Sequence, residues 1–276
     1  MQKENLLVSF SGGKTSGYMA RRLQLEMSHI FNLIYVFANT AQEREETLEF
    51  VHRCDQEFSL GVIWVEAVID PARGIGTKHK VVDYYTAARA GEPFEEMIKK
   101  YGIPNMSFPH CTRELKLAPI KSFMRSLGVK YSTAIGIRAD EYRRVNAKAK
   151  QERIIYPLID FWCVDKQMVN EAWDTQKFNL RLLEHEGNCS WCWKKATSKH
   201  FRLISEAPHI FDFPRRMEET YPMAGPSGQK QVFFRGHKST NDLFADYKYS
   251  LNNVDTTLDI SISDGCSESC EMYDAI

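Results

Sequence analysis

The stretch LLVSFSGGKTSGYMARRLQLEM, Leu6–Met27, joins two periodicities across one turn. Leu6 to Phe10 is a short apolar run that stops at the small residues Ser11, Gly12 and Gly13. Beyond it Met19, Leu23 and Met27 recur every fourth position, with Arg21, Arg22, Gln24 and Glu26 pointing elsewhere, which predicts an amphipathic helix. A small-residue loop between strand and helix is where an anion site belongs. Gly12 and Gly13 let the backbone turn tightly and approach a phosphate closely. The helix beginning near Lys14 offers unpaired N–H groups and a positive dipole end. Ser11, Thr15 and Ser16 can donate hydroxyl hydrogen bonds, and Lys14 adds a full charge. Neither the Walker spacing G-x-x-x-x-G-K-S/T nor the dinucleotide spacing G-x-G-x-x-G is present, so this is not a conventional P-loop or dinucleotide fingerprint.

Working outward, Leu33 to Ala38 is nearly continuously apolar, as a parallel strand covered on both faces should be, and Asn39 and Thr40 end it. Glu43, Glu45 and Glu46 then load the first turn of a helix, where negative charge suits the dipole. Val62–Val68 and Tyr131–Gly136 read as further strands. Between them Pro119 opens a helix carrying Ile120, Phe123, Met124 and Leu127 on one face. Strand alternating with helix predicts an α/β fold, a mostly parallel sheet with helices on both faces. After Pro157 the pattern changes. Asp165 caps a helix to about Trp173, and helical segments follow near Phe178–Glu186 and Lys195–Ala207. Pro208, Pro214, Pro222 and Pro226 then punctuate the chain. The expected organisation is an α/β domain over 1–160, a smaller helical region over 161–249, and an acidic, Ser/Asp-rich tail over 250–276.

A chain of 276 residues, at roughly 150 per domain, suits one large domain or one with an appendage. At 43% hydrophobic and 26% charged it has the balance of an ordinary globule. No apolar run approaches the ~20 residues that span a bilayer. The N-terminal MQKENLLVSFSGGK lacks a small-residue cleavage site, so no signal peptide is expected. Seven cysteines on such a chain point to a reducing, cytoplasmic location. Lys+Arg and Asp+Glu balance at 36 each, but unevenly along the chain. Between His110 and Arg153 eleven Lys/Arg face four acids, whereas the tail from Ser250 has six acids and no Lys or Arg. A basic middle suits an anionic ligand such as a nucleotide, sulfate or nucleic acid, or else a solvated helix face.

Cys189-Ser190-Trp191-Cys192 is a CxxC after Gly187, followed by Lys194 and Lys195, and Cys266 and Cys270 form a CxxxC in the tail. Four thiolates in two close pairs suit tetrahedral zinc or an iron–sulfur cluster. A redox dithiol shares the CxxC spacing, but the thioredoxin-type βαβ context is missing. Cys111 precedes a short helix, Thr112–Leu117, and is flanked by His110, Arg113 and Lys116. A helix N-terminus and nearby cations lower a thiol's pKa and make a nucleophile or metal ligand; the alternative is a small buried hydrophobe. Cys54 and Cys163 read as structural. Trp191, Trp193, Phe233 and Phe234 can stack bases, but such residues more often cover a metal loop or fill a small core.

SFSGGKTS resembles the pyrophosphate loop, SGGxxS, of the adenine-nucleotide α-hydrolases (PP-loop ATP pyrophosphatases). Four further segments resemble the phosphoadenylyl-sulfate (PAPS) reductase-like branch of that superfamily: FANTAQEREETLEFV (Phe37–Val51), CTRELKLAPI (Cys111–Ile120), GIRADEYRR (Gly136–Arg144) and YPLIDFW (Tyr156–Trp162). They come in the family's order and cover most of residues 5–165. The resemblance implies a Rossmann-like, adenine-nucleotide α-hydrolase-like sheet with ATP, as its Mg2+ complex, or adenylyl sulfate above the carboxyl ends of the strands. Ser11, Gly12, Gly13, Lys14, Thr15 and Ser16 would hold the phosphates, and Asn39 and Thr40 would meet adenine or ribose. Arg138, with Gly136 in the GxR segment, would grip phosphate or sulfate, the bland alternative being an ion pair with Asp140 or Glu141.

Carried further, the resemblance implies attack at the α-phosphorus with pyrophosphate leaving, helped by Lys14 and Arg138, with Cys111 in the site. Several sulfur-moving members of the superfamily hold a 4Fe–4S cluster on three or four cysteines, and the resemblance therefore favours that over zinc on Cys189, Cys192, Cys266 and Cys270. The tail, DGCSESCEMYDAI, lacks the ECGxH-type segment of thioredoxin-dependent sulfonucleotide reductases. The expected activity is therefore an ATP-dependent, adenylating sulfurtransferase, with a reductase of (phospho)adenylyl sulfate or a nucleotide- and metal-binding sensor as alternatives. Its partners would be a sulfur acceptor, either nucleic acid or small molecule, and a sulfur- or electron-donor protein; a homodimer is compatible with all of this.

Overall fold

The computed structural model describes residues 3–252 apart from Glu184 and Ser227. Six strands form one sheet: β1 (Glu4–Ser9), β2 (Phe31–Asn39), β3 (Ile63–Val68), β4 (Lys78–Val82), β5 (Tyr131–Ala134) and β6 (Ile154–Ile155), in the order β4-β3-β2-β1-β5-β6. All neighbours are parallel except β4, which runs antiparallel to β3 at one edge. The α/β class and the mostly parallel sheet are as the alternation of patterns predicts.

Side chains leave a strand to alternate faces, and here both faces are buried. Leu6 and Val8 of β1 join Tyr35, Phe37 and Trp64 in a cluster under α1 (Lys14–Met27) and α2 (Glu45–Phe58). Leu7 turns the other way, with Val36, Ala38 and Val65, to meet Ile120, Phe123 and Met124 of α4 (Ala118–Ser126). A third cluster draws on both sides of residue 160. Phe94, Met97 and Ile98 of α3 (Glu92–Tyr101) pack with Trp191, Trp193, Phe211 and Phe233. The short α5 (Pro157–Asp160) leads to α6 (Lys166–Asp174), whose Asp165 cap accepts from the Met168 N–H at 2.9 Å. Then follow α7 (Thr197–Glu206), α8 (Asp212–Thr220) and α9 (Thr240–Asn252). Among the described residues no helix is long and apolar enough to cross a membrane.

Several local expectations are corrected. Among the described residues of Phe178–Glu186 no helix forms. Phe178 and Leu180 instead go into the first cluster, Phe178 within 5.6–6.0 Å of the rings of Phe50, Phe58 and Trp173, and their i,i+2 spacing suits extended backbone. Glu43 does not enter α2, because Arg44 is extended and the Glu43 carboxylate folds back onto Thr40. Leu127 is 42% exposed just past α4 rather than buried, and Cys163 is exposed with φ +49°, whereas Cys54 is buried as expected. Cys111 lies inside rather than before its helical turn, a wide π-type turn over Cys111–Leu117 that runs directly into α4. Pro208 and Pro214 do not break helical structure: each sits in a first turn, where a missing N–H costs nothing. The strand β4 carries no strong sequence pattern, whereas α3, with Phe94, Met97, Ile98 and Tyr101 at helical spacing, and α9, which follows the Ser239–Asp242 capping pair, are additions to the expected elements. Cys266 and Cys270 lie outside the described residues.

The Phe178 anchor is testable. Phe178→Ala removes a buried ring from an aromatic cluster and should lower unfolding free energy by about 3–5 kcal/mol in urea titration; a helix with Phe178 on its solvent face would give a loss near zero.

Candidate functional site

In an open parallel sheet the crevice opens where strand order reverses, outside the carboxyl ends. Here the chain builds β1, β2 and β3 in one direction, then returns to place β5 on the other side of β1. The reversal lies between β1 and β5. The segments that leave those two strands are Ser11–Ser16 and Gly136–Arg138.

The Ser11–Ser16 loop is held from within and from three distant segments. Gly12 has φ +84°, and a Cβ there would lie 2.6 Å from the Thr47 methyl, so only glycine fits without displacing α2. The Ser16 hydroxyl donates to the Gly13 carbonyl at 3.0 Å and accepts from the Ser11 N–H and hydroxyl at 3.2 and 2.9 Å. The Asn188 amide donates to the Ser11 carbonyl at 3.0 Å, and the Trp173 indole N–H donates to the Lys14 carbonyl at 2.8 Å. Gly136 packs so tightly that a Cβ would stand 3.2 Å from Ser16 Cα. Arg138, 4% exposed, donates from Nη1 to Thr15 Oγ1 at 3.0 Å and grips Asp140 with Nε and Nη2 at 3.0 and 3.1 Å. The ion pair expected for Arg138 is present, with Asp140 at 3.0 Å and Glu141 Oε2 at 3.4 Å, and the same side chain reaches the glycine loop. Lys14 is half-buried at the start of α1, with no ion-pair partner among the described residues. The first turn of α1 has no side-chain cap hydrogen bond at Gly13 and carries no acidic residue, and Lys14 stands at its start.

Asn39 and Thr40 are buried, and their side chains are used internally. Asn39 Nδ2 donates to Glu66 Oε1 at 2.6 Å and to the Ala88 carbonyl at 2.8 Å, and Thr40 Oγ1 donates to Glu43. The CxxC loop lies against the same end of the sheet. Cys189 forms a β-bridge with Glu43, the Arg44 N–H donates to the Asn188 carbonyl at 2.8 Å, and the Ser190 N–H to the Gln42 carbonyl at 3.0 Å. Cys189 Sγ stands 3.8 Å from Glu43 Oε1. Lys195 turns inward and donates to the Cys189 carbonyl at 2.7 Å. Asn188 thus ties the CxxC loop directly to Ser11. Among the described residues no group of three or more His, Cys, Asp or Glu is gathered as a metal site. Cys111, half-buried, begins the turn that packs on β2, β3 and α3, at the margin of the third cluster. His110 beside it is held below the usual imidazole range by burial and by the Arg113 cation. Trp191, Trp193, Phe233 and Phe234 are all buried and fill the core.

Asn188, Trp173 and Thr47 escaped the sequence reading. The adjacency of Asn188 to the CxxC was a usable signal; Trp173 was visible only as a helix-end residue. Arg44 was missed too: its Nη1 pairs with Glu186 at 3.0 Å while Nε and Nη2 are buried without a hydrogen-bond partner among the described residues.

No protein-family model matches the chain. It is 29% identical, over 97% of its length and 94% of the relative's, to the uncharacterized nin region protein ORF290 of Escherichia phage lambda. It is also 29% identical, over 44% of its length and 20% of the relative's, to the uncharacterized protein MJ0066 of Methanocaldococcus jannaschii.

His200 gives the site a pH signature. It is 2% exposed, its Nε2 lies 3.0 Å from the Cys192 carbonyl, and burial pushes its pKa from 6.5 down to about 3, so the neutral ring donates to that carbonyl. The unfolded chain binds a proton below pH 6.5 that the folded chain refuses until about pH 3. Its contribution to stability is therefore complete above the unfolded value and is lost on acidification, with a slope of up to about 1.4 kcal/mol per pH unit. Urea titrations of wild type and His200→Gln between pH 7 and about pH 5 should show a shallower acid loss in the variant; equal slopes would refute this assignment.

Proposed function

We propose that the chain is a PP-loop, adenine-nucleotide α-hydrolase-like enzyme with a Rossmann-like sheet that binds ATP, releases pyrophosphate and activates a substrate by adenylation for sulfur transfer. One observation carries the reading: the glycine loop after β1 and the Gly136–Arg138 segment after β5 meet across the strand-order reversal, joined by the Arg138–Thr15 hydrogen bond. The order of the segments resembling the PAPS reductase-like branch supports it.

In this reading the α1 amides and Lys14 receive the β- and γ-phosphates. Charge that builds on a leaving pyrophosphate meets donors already in place, so little reorganisation is needed. Arg138 acts chiefly as a positioning residue, setting Thr15 and exchanging part of its bond to Asp140 for an incoming α-phosphate oxygen. Asn39 and Thr40, spent on Glu66 and Glu43, shape the crevice wall rather than offering free hydrogen bonds. Cys111 is the candidate nucleophile or sulfur carrier.

The donor set for a metal group is incomplete among the described residues. Cys189 and Cys192 supply two thiols, fewer than a 4Fe–4S cluster or a structural zinc takes. The cluster proposal depends on Cys266 and Cys270. Iron, sulfide and zinc analysis of anaerobically purified wild type, Cys189→Ser and a chain truncated before Ser263 tests it. Loss of metal in both variants supports the two-pair site; full metal in the truncated chain overturns it.

Lys14→Ala removes a side chain with no ion-pair partner among the described residues, so the fold should persist. Losing one charge-assisted contact to phosphate should weaken ATP binding about ten- to a hundredfold by calorimetry. Unchanged affinity would refute the phosphate site. Pyrophosphate formed from ATP supports the adenylating enzyme, sulfite formed from adenylyl sulfate the reductase, and tight binding without product the sensor.

A further inference from the structure

Behind the glycine loop, α1 and α6 flank an open cavity of about 550 Å3 whose walls include Tyr18, Arg21, Leu25, Phe58, Ala172 and Trp173. That volume lies within the ordinary range of small-molecule sites, and an aromatic lining with a few charged groups is their usual composition. Tyr18, Arg21 and Leu25 fall on one stripe of α1, since positions three, four and seven apart share a face. A solvent-facing stripe would be polar throughout, yet Leu25 is 64% exposed, and Met168, across the cavity, is 40% exposed.

The cations differ in what they have left to offer. Arg22 is engaged by Glu26 at 2.8 Å, donates to the Tyr18 hydroxyl at 3.0 Å and lies over the Trp162 ring at 4.5 Å. Arg21 donates to the neutral Gln24 Oε1 at 2.6 Å and lies over the Phe58 ring at 4.8 Å, with no carboxylate partner among the described residues. A guanidinium placed over an aromatic ring still has N–H donors to offer a planar anion. Tyr18 and Phe58, both half-buried, supply apolar ring surface beside it, while Trp173, 3% exposed, lines the site from the core, packed on Phe50 and Phe178. The far side of Trp173 touches the glycine loop: its N–H holds the Lys14 carbonyl, and a Cβ on Gly17 would stand 2.9 Å from its ring.

We propose that this cavity is a second ligand site, for a planar aromatic carboxylate, and that its occupancy is transmitted through Trp173 to the glycine loop. The assignment does not depend on nucleotide binding at the other end of α1.

The probe is 2-naphthoate, titrated calorimetrically into the full chain, with the neutral 2-naphthalenemethanol as control. One saturable site per chain is expected, with Kd about millimolar or tighter, as ligand efficiency allows for a molecule of this size. Arg21→Gln should weaken naphthoate by about tenfold while leaving the alcohol unchanged, because only the ion's charge-assisted contact is lost. Ala172→Trp should fill the cavity and abolish both. Leu25→Glu, at an exposed position that tolerates change, should weaken naphthoate alone by placing a like charge at the rim. No saturable binding, or equal naphthoate affinity in wild type, Arg21→Gln and Leu25→Glu, overturns the site. Amide exchange over residues 13–18 should slow on naphthoate binding in wild type and not in Trp173→Phe; binding without that difference overturns the coupling.

Discussion

β1 is paired on both edges and covered on both faces, so its chain has one way out. With β2 and β5 on either side and apolar clusters above and below, the backbone must leave at the carboxyl end and become α1 within Ser11–Gly13. Gly12 makes this feasible, in a conformation other residues adopt only with strain and with the Thr47 methyl already where a Cβ would go. The direction of α1 and its packing beside α2 and α6 follow from that exit.

The Gly13 carbonyl already accepts the Gly17 N–H at 3.0 Å as α1 begins, while the Ser11 carbonyl lies between strand and helix, and a buried carbonyl without a donor costs on the order of 1–3 kcal/mol. The chain meets this with donors from far along the sequence: Asn188 to Ser11, Trp173 to Lys14, and Ser16 to Gly13 from within the loop. The CxxC loop and α6 are therefore part of the glycine loop's construction. The same dependence explains why the third apolar cluster gathers residues from α3 and from the segment around Trp191 and Trp193. The end of the sheet that carries the crevice is where distant segments are tied together.

Polar residues at the end of a buried strand serve either a ligand or the backbone, and their type alone does not distinguish the two. Asn39 and Thr40 stand where a base-recognising pair would stand, but the Glu66 carboxylate, fully buried on β3, and the Ala88 carbonyl need partners and take Asn39. Lys80 completes the arrangement from β4, 2.8 Å from Glu66 Oε2. Arg138 shows the intermediate case: one face of its guanidinium answers Asp140, and the other reaches the loop.

The sequence by itself determined the α/β alternation, four of the six strands, the glycine loop between β1 and α1, and the Asp165 cap, because each is written in short-range patterns. Apolar periodicity, a Gly-Gly turn and a side chain that can accept from its own helix need no distant partner to be read. The edge strand β4 was invisible because its half-exposed KHKVV has no strong period, and the helix expected over Phe178–Glu186 was overruled by the burial of Phe178 and Leu180 two positions apart. Only the tertiary structure decided that the CxxC loop sits beside Ser11, that Trp173 holds Lys14, and that Asn39 is committed to Glu66. Those are contacts between residues 27 to 177 positions apart, and such pairings come from how layers stack, which no local pattern records.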